Sequence, residues 1–140
     1  MITLIINGDL PALNEYTKAN RSQYGAVLGS RIKRDAEKLI ALYIKAQGLT
    51  DIKYVHPVRL DFRWYMENQR KDPDNVCFAK KFILDALTRQ GILQGDSFRY
   101  VKGFTDEFYI DRENPRIEVD ITAEYLWHKE EGDEAGKEQI

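Results

Sequence analysis

Cysteine and histidine are almost missing from this chain. Cys77 is the only cysteine, and His56 and His128 are the only histidines. One thiol excludes an internal disulfide framework and a cysteine-rich zinc site. Neither histidine has a His, Cys or acidic partner at ligand spacing, so both read as structural or solvent-facing. An unpaired thiol suits a reducing compartment, and the expectation is a cytoplasmic protein. Long apolar runs are missing too: none approaches the roughly 18–20 residues that cross a bilayer. The opening Met1 to Asp9 lacks a basic segment followed by a long apolar one, so it reads as a strand and not as a secretory signal. No Ser/His/Asp triad, phosphate-binding loop or dinucleotide fingerprint is present, which leaves no nucleotide cofactor to expect. Nor is there an excess of charge of one sign. Against 21 Lys and Arg stand 23 Asp and Glu, for a net charge of −2. Residues 129–140 hold five acids and two lysines; without them the balance is +1. Any affinity for a polyanion must therefore come from a local patch and fall steeply with salt. That acidic segment has no periodic apolar face and is expected to be disordered.

What is present is an ordinary globular composition, 43% hydrophobic and 31% charged over 140 residues. This is enough for one domain with a real core. Residues 1–8 read as a strand, 9–29 as a long loop, and Ser30 as the cap of a helix ending at Gly48. Ile32, Ala36, Leu39, Ile40, Tyr43 and Ile44 recur at helical spacing and predict its buried face. Over 54–66, Val58, Leu60, Phe62 and Trp64 alternate with Arg59, Asp61, Arg63 and Tyr65, the pattern of a half-buried strand. A helix is expected from about Asn75 to Gln90, stopped by Gly91. Strands follow over 98–109 and 116–126, the last with Ile117, Val119, Ile121 and Ala123 inward. The order strand-helix-strand-helix-strand-strand predicts an α/β (α+β) domain over about 1–128, a mixed β-sheet packed with two main helices.

The most informative segment is Lys71-Asp72-Pro73-Asp74-Asn75, followed downstream by Gly95-Asp96-Ser97. Pro73 fixes its own φ and pushes Asp72 towards an extended backbone. Asp74 is then placed as the helix N-cap. A turn plus N-cap accounts for such a segment without further function. Capping, however, needs one carboxylate, and this turn offers two together with Asn75. With Asp96, three acids sit where turns meet helices and strands, and acids so placed can hold a hard divalent cation. At about 5 Å and an effective dielectric of about 20, each pair of bare carboxylates repels by on the order of 3 kcal/mol. Three acids drawn together would thus await a cation. Arg70, Lys71, Lys80 and Lys81 flank the segment and suit a phosphate-bearing substrate.

These residues resemble the RusA family of Holliday-junction resolvases. The similarity runs through Arg70 to Asn75, Lys80 to Leu87 with its Asp85-Ala86-Leu87, and Gly91 to Ser97. Leu10 to Tyr16 is similar to the family's N-terminal Pro-x-x-Asn-x-Tyr region, and Asn114 to Ile121 to its closing strand. Together the segments cover about residues 1–125. The resemblance implies a small homodimeric endonuclease that uses Mg²⁺ or Mn²⁺ to cut four-way DNA junctions. It implies that Asp72, Asp74 and Asp96 are the catalytic, metal-holding acids. It also implies a catalytic lysine four residues after the second acid and four before the Asp of Asp-Ala-Leu. Here the two anchors disagree: counting forward from Asp74 reaches Phe78, and counting back from Asp85 reaches Lys81. On an unbroken helix Lys81, seven residues after Asp74, shares its face, and Lys80 points about 100° away. Lys81 is therefore the first candidate and Lys80 the second.

DNA contacts are expected from Arg70, Lys71, Asn75 and Lys80. Others are expected from Lys18, Asn20, Arg21 and Tyr24 of the long loop, which read equally as a solvated connection. Two other functions fit the same residues: a metal-dependent nuclease acting on flaps or forks, and a DNA-binding protein on the same fold that does no chemistry.

Overall fold

The computed structural model describes residues 1–21 and 25–125. Tyr24, the end of the last expected strand, His128 and the acidic segment 129–140 lie outside the described residues. Those described form an α/β fold with a single mixed sheet. Its elements run β1 (Ile2–Asn7), α1 (Leu13–Arg21), α2 (Gly25–Ala46), β2 (Val58–Met66), α3 (Pro73–Cys77), α4 (Lys80–Arg89), β3 (Val101–Ile110) and β4 (Arg116–Ala123). The strand order across the sheet is β1-β4-β2-β3, antiparallel at the first two joints and parallel between β2 and β3. Parallel neighbours need a long crossover, and α3 and α4 lie within it.

The alternation seen in the sequence decides which face is buried. Val58, Leu60, Phe62 and Trp64 of β2 and Ile117, Val119 and Ile121 of β4 are essentially inaccessible to solvent. They share one core with Ile40 and Ile44 of α2 and Phe82, Ile83 and Leu87 of α4. Each such side chain contributes roughly 1.5–3 kcal/mol relative to exposure. The opposite face is polar and laced by ion pairs. Arg63 reaches Asp120 at 2.6 Å and Glu118 at 3.0 Å, and Arg116 reaches Glu118 at 2.8 Å and Asp111 at 2.9 Å. The guanidinium of Arg63 holds the Asp120 carboxyl below its ordinary range, and Arg116 does the same to Glu118 and Asp111.

Two glycines end helices as expected. Gly48 and Gly91 have φ of +72° and +81°, the left-handed backbone a side chain resists. After Gly91, the Ile92 N–H returns to the Leu87 carbonyl and the Gly91 N–H to that of Thr88, which closes α4 with its last carbonyls satisfied.

Five expectations require correction. The loop over 9–29 contains α1, and α2 begins at Gly25, not Ser30. The first of these helices is largely polar, with few apolar residues of its own. It is held by Tyr16, whose ring lies 5.6 Å from Phe78 and 5.7 Å from Phe82, a tertiary contact that local pattern does not reveal. Gly29 marks no loop; a Cβ there would fall 2.0 Å from Asn20 Oδ1, so it lets α1 and α2 approach closely. Leu39, placed in the buried face, is 36% exposed, and Glu37 is buried instead, paired with Arg89 at 3.2 Å. Finally, the helix from Asn75 to Gln90 is two helices, joined by a turn at Phe78 and Ala79.

Candidate metal and nucleic-acid site

Asp72, not Asp74, is the N-cap of α3. Its φ and ψ of −72° and 150° are the extended values expected before Pro73. Its backbone carbonyl accepts from the Val76 N–H at 3.1 Å, while its carboxylate makes no capping hydrogen bond. Asp72 is exposed and faces a hollow of about 260 Å³ that Lys71, Met66, Val76, Phe108 and Ile110 help to line. Asp74 lies in the first turn of α3, also exposed, and one carboxylate oxygen accepts from the Asn75 N–H at 2.9 Å. Asn75 turns away from the acids: its side-chain oxygen accepts from the Asn14 N–H at 3.1 Å and ties α3 to α1.

The break at Phe78 and Ala79 gives the two candidate lysines different surroundings. Lys81 N–H bonds to Phe78 and Phe82 N–H to Ala79, each an i to i+3 contact. A turn tightened in this way advances about 120° per residue, not 100°. The face argument that favoured Lys81 fails with the continuous helix it assumed. Lys80 packs against the sheet, 17% exposed, and its charge acts on the Cys77 thiol together with those of Asp106 and Asp74. Burial is the main cause that pushes this thiol above its ordinary range. The Lys80 ammonium lies 2.6 Å from Asp106, with the Phe104 ring centre at 4.7 Å and that of Phe62 at 5.2 Å. Trp64 Nε1 donates to the other Asp106 oxygen at 2.9 Å. Lys81 points into solvent, 61% exposed, with Asp85 at 4.0 Å.

Asp96 is not brought to this turn within the chain. It shares a separate hollow of about 350 Å³ with Lys33, Lys81, Asp85, Thr88 and Arg89. The parallel pairing of β2 with β3 explains the separation. Asp96 precedes the end where Val58 pairs with Val101, whereas Asp72 follows the end where Met66 pairs with Ile110. Ten residues of strand at roughly 3.3 Å each put about 30 Å between those ends. Accordingly, among the described residues no group of three His, Cys, Asp or Glu is arranged to hold a metal.

The basic residues divide into free and engaged. Lys71 is committed to Glu15 at 2.8 Å and Asp9 at 3.5 Å, and the Glu15 hydrogen bond raises its pKa. Arg70 is exposed. On α1, Lys18 and Arg21 are exposed and line an open hollow with Asn14 and Thr17. Asn14 is the residue that touches Asn75, so the basic row starts beside the Asp72–Asp74 turn and runs along α1.

Asp106 escaped the reading of the sequence. Its signal was an acid between apolar residues at alternate positions, Phe104, Asp106, Phe108 and Ile110, on the helix-facing side of β3.

No protein-family model matches the chain, and no curated protein matches it. No helix among the described residues is long and apolar enough to cross a membrane.

Proposed function

We propose that this chain is a Mg²⁺-dependent endodeoxyribonuclease that cuts branched DNA, four-way junctions first among them. The observation that carries the reading is a proline-stiffened turn with two exposed carboxylates, of which that of Asp72 makes no capping hydrogen bond, close to the basic residues of α1. Such donors suit Mg²⁺, which takes one or two carboxylates and keeps several waters. When bound, the ion would supply an activated water and charge stabilisation at the scissile phosphate. Asp72 and the free oxygen of Asp74 would hold it. Lys80, kept in place by Asp106 and two aromatic rings, would present positive charge near that phosphate. Lys18, Arg21 and Arg70 would hold the flanking backbone by charge. The resemblance to RusA-type resolvases supports Asp72 and Asp74 in this role.

A second reading, a DNA-binding protein without chemistry, is favoured by the neutralisation of Lys80 by Asp106 and by the distance of Asp96. An Asp74→Asn variant separates the two. Under the nuclease reading it binds junctions as tightly as the parent but cuts them at least 100-fold more slowly. Unchanged cutting, or a parent protein that binds and never cuts, favours the second.

A further inference from the structure

The helix-facing side of β3 is covered only in part. Phe104 lies against Lys80, whose ammonium is 4.7 Å from the ring centre. Further along the strand, Phe108 and Ile110 remain 39% and 47% exposed. With Val76 of α3 and with Met66, the neighbour of Ile110 across the sheet, they wall the hollow of about 260 Å³ beside Asp72. Apolar surface left open in this way marks a binding site. Two amides join these walls, those of Asn68 and Gln69, on the segment that leads from β2 to α3. Asn68 Oδ1 accepts from the Arg70 N–H at 3.0 Å, which holds that segment in a turn. Gln69 is exposed.

We infer that this hollow receives a single unstacked nucleobase from the DNA strand that passes the Asp72 turn. An apolar wall with a few polar groups suits a flat ligand with a polar edge. Phe108 offers a ring for stacking, a contact that every base accepts. Side-chain amides such as those of Asn68 and Gln69 pair with the donors and acceptors of a base edge. Roughly 150 Å³ of apolar space accommodates a benzene ring, so the hollow has room for one base. A nucleotide carries its phosphate with its base. With the base seated, the phosphate comes to the turn, where Asp72 would hold a cation and Arg70 is exposed. An aromatic side chain of a protein partner would fill the same walls and leave both the amides and the cation without a use. The placement of the phosphate rests on the nuclease reading above; the capture of a base requires DNA binding and no cutting. Taking a base out of its stack costs least where pairing is already interrupted. The hollow thereby gives this surface a preference for branched over linear DNA.

Scanning 2-aminopurine through the branch of a synthetic four-way junction tests this, with Ca²⁺ in place of Mg²⁺. Its emission rises when the base leaves its stack. Binding of the parent protein should raise emission at least threefold at one branch position and leave a probe in the middle of an arm unchanged. Ile110→Trp fills the hollow at a half-exposed position, and Phe108→Ala removes one of its walls. Both should abolish the rise and weaken junction binding at least tenfold, with linear duplex binding within twofold of the parent and an unchanged circular dichroism spectrum. Gln69→Ala, an exposed loop substitution, should keep the rise and reduce discrimination among the four bases at that position at least fivefold. No rise at any branch position, or a rise that survives both Ile110→Trp and Phe108→Ala, overturns the inference. A hollow covered by a second copy or a protein segment would give no rise, and sedimentation that changes in both variants. A parent that shows the rise but cuts nothing in Mg²⁺ overturns the nuclease reading alone. One that cuts without a rise overturns the base site alone, and one that binds no DNA overturns both.

Discussion

Lys80 and Lys81 are adjacent in sequence and live in different surroundings. Lys80 is nearly enclosed between Asp106 and two aromatic rings, whereas Lys81 extends into solvent. Replacing Lys80 by Met leaves the partly buried Asp106 with Trp64 as its remaining partner and should cost about 1–3 kcal/mol of stability. Lys81→Met should stay within about 0.5 kcal/mol. Urea unfolding of both variants checks this ranking. The sequence could not supply it, because the spacing assigned the lysine on the premise of an unbroken helix. The acids of the polar face make a different prediction. The carboxyls of Asp120 and Glu118 titrate below their ordinary range because arginines bond the charged forms. Their stabilisation is therefore complete above the unfolded-state values near pH 4 and is lost as pH falls through the lower folded values. Melting temperature should drop from pH 5 to pH 2. Asp120→Asn should flatten that drop while costing on the order of 1 kcal/mol at pH 7, since the ion pair is largely shielded from solvent.

Among the elements, α1 is the one that the nuclease reading would set between the candidate site and DNA. It docks through Tyr16, and Asn14 touches Asn75 of α3, while Lys18 and Arg21 remain free to meet phosphates. A Lys18→Glu, Arg21→Glu variant should bind junction DNA at least tenfold more weakly and flatten the dependence of log affinity on log salt by about 2. Fluorescence anisotropy across a salt series measures both. Unchanged affinity would mean that α1 lies off the DNA path. The strands and α2 were legible in the sequence because their apolar residues repeat at the period of the element. The alternation over Val58 to Trp64 and over Ile117 to Ala123 named the buried face residue by residue. Helix α1 was not legible: it is held by contacts with distant parts of the chain, among them the Tyr16 ring packed on residues some 60 positions away and the Asn14–Asn75 and Glu15–Lys71 pairs. The split between α3 and α4 was hidden for a related reason. Val76, Ala79 and Ile83 keep a helical spacing through the turn, so periodicity alone reports one helix.

For the whole molecule, the division of the sheet into a covered face and a polar face was foreseen, and its order was not. The parallel joint between β2 and β3 sets the two ends of that pair about 30 Å apart and strands Asp96 on the far side from Asp72 and Asp74. Local spacing gathered three acids; topology separates one of them. That leaves the two-carboxylate turn as the centre of the proposed chemistry within a single chain. Within one chain the repulsion expected of three crowded acids therefore does not arise. The most direct measurement is cleavage of an end-labelled synthetic four-way junction with Mg²⁺ at low salt, beside linear duplex and flap controls, for the parent protein and Asp74→Asn. The account predicts paired nicks in opposing strands of the junction by the parent and at least a 100-fold loss in the variant at undiminished binding. Tight junction binding with no cutting in either Mg²⁺ or Mn²⁺ would contradict it.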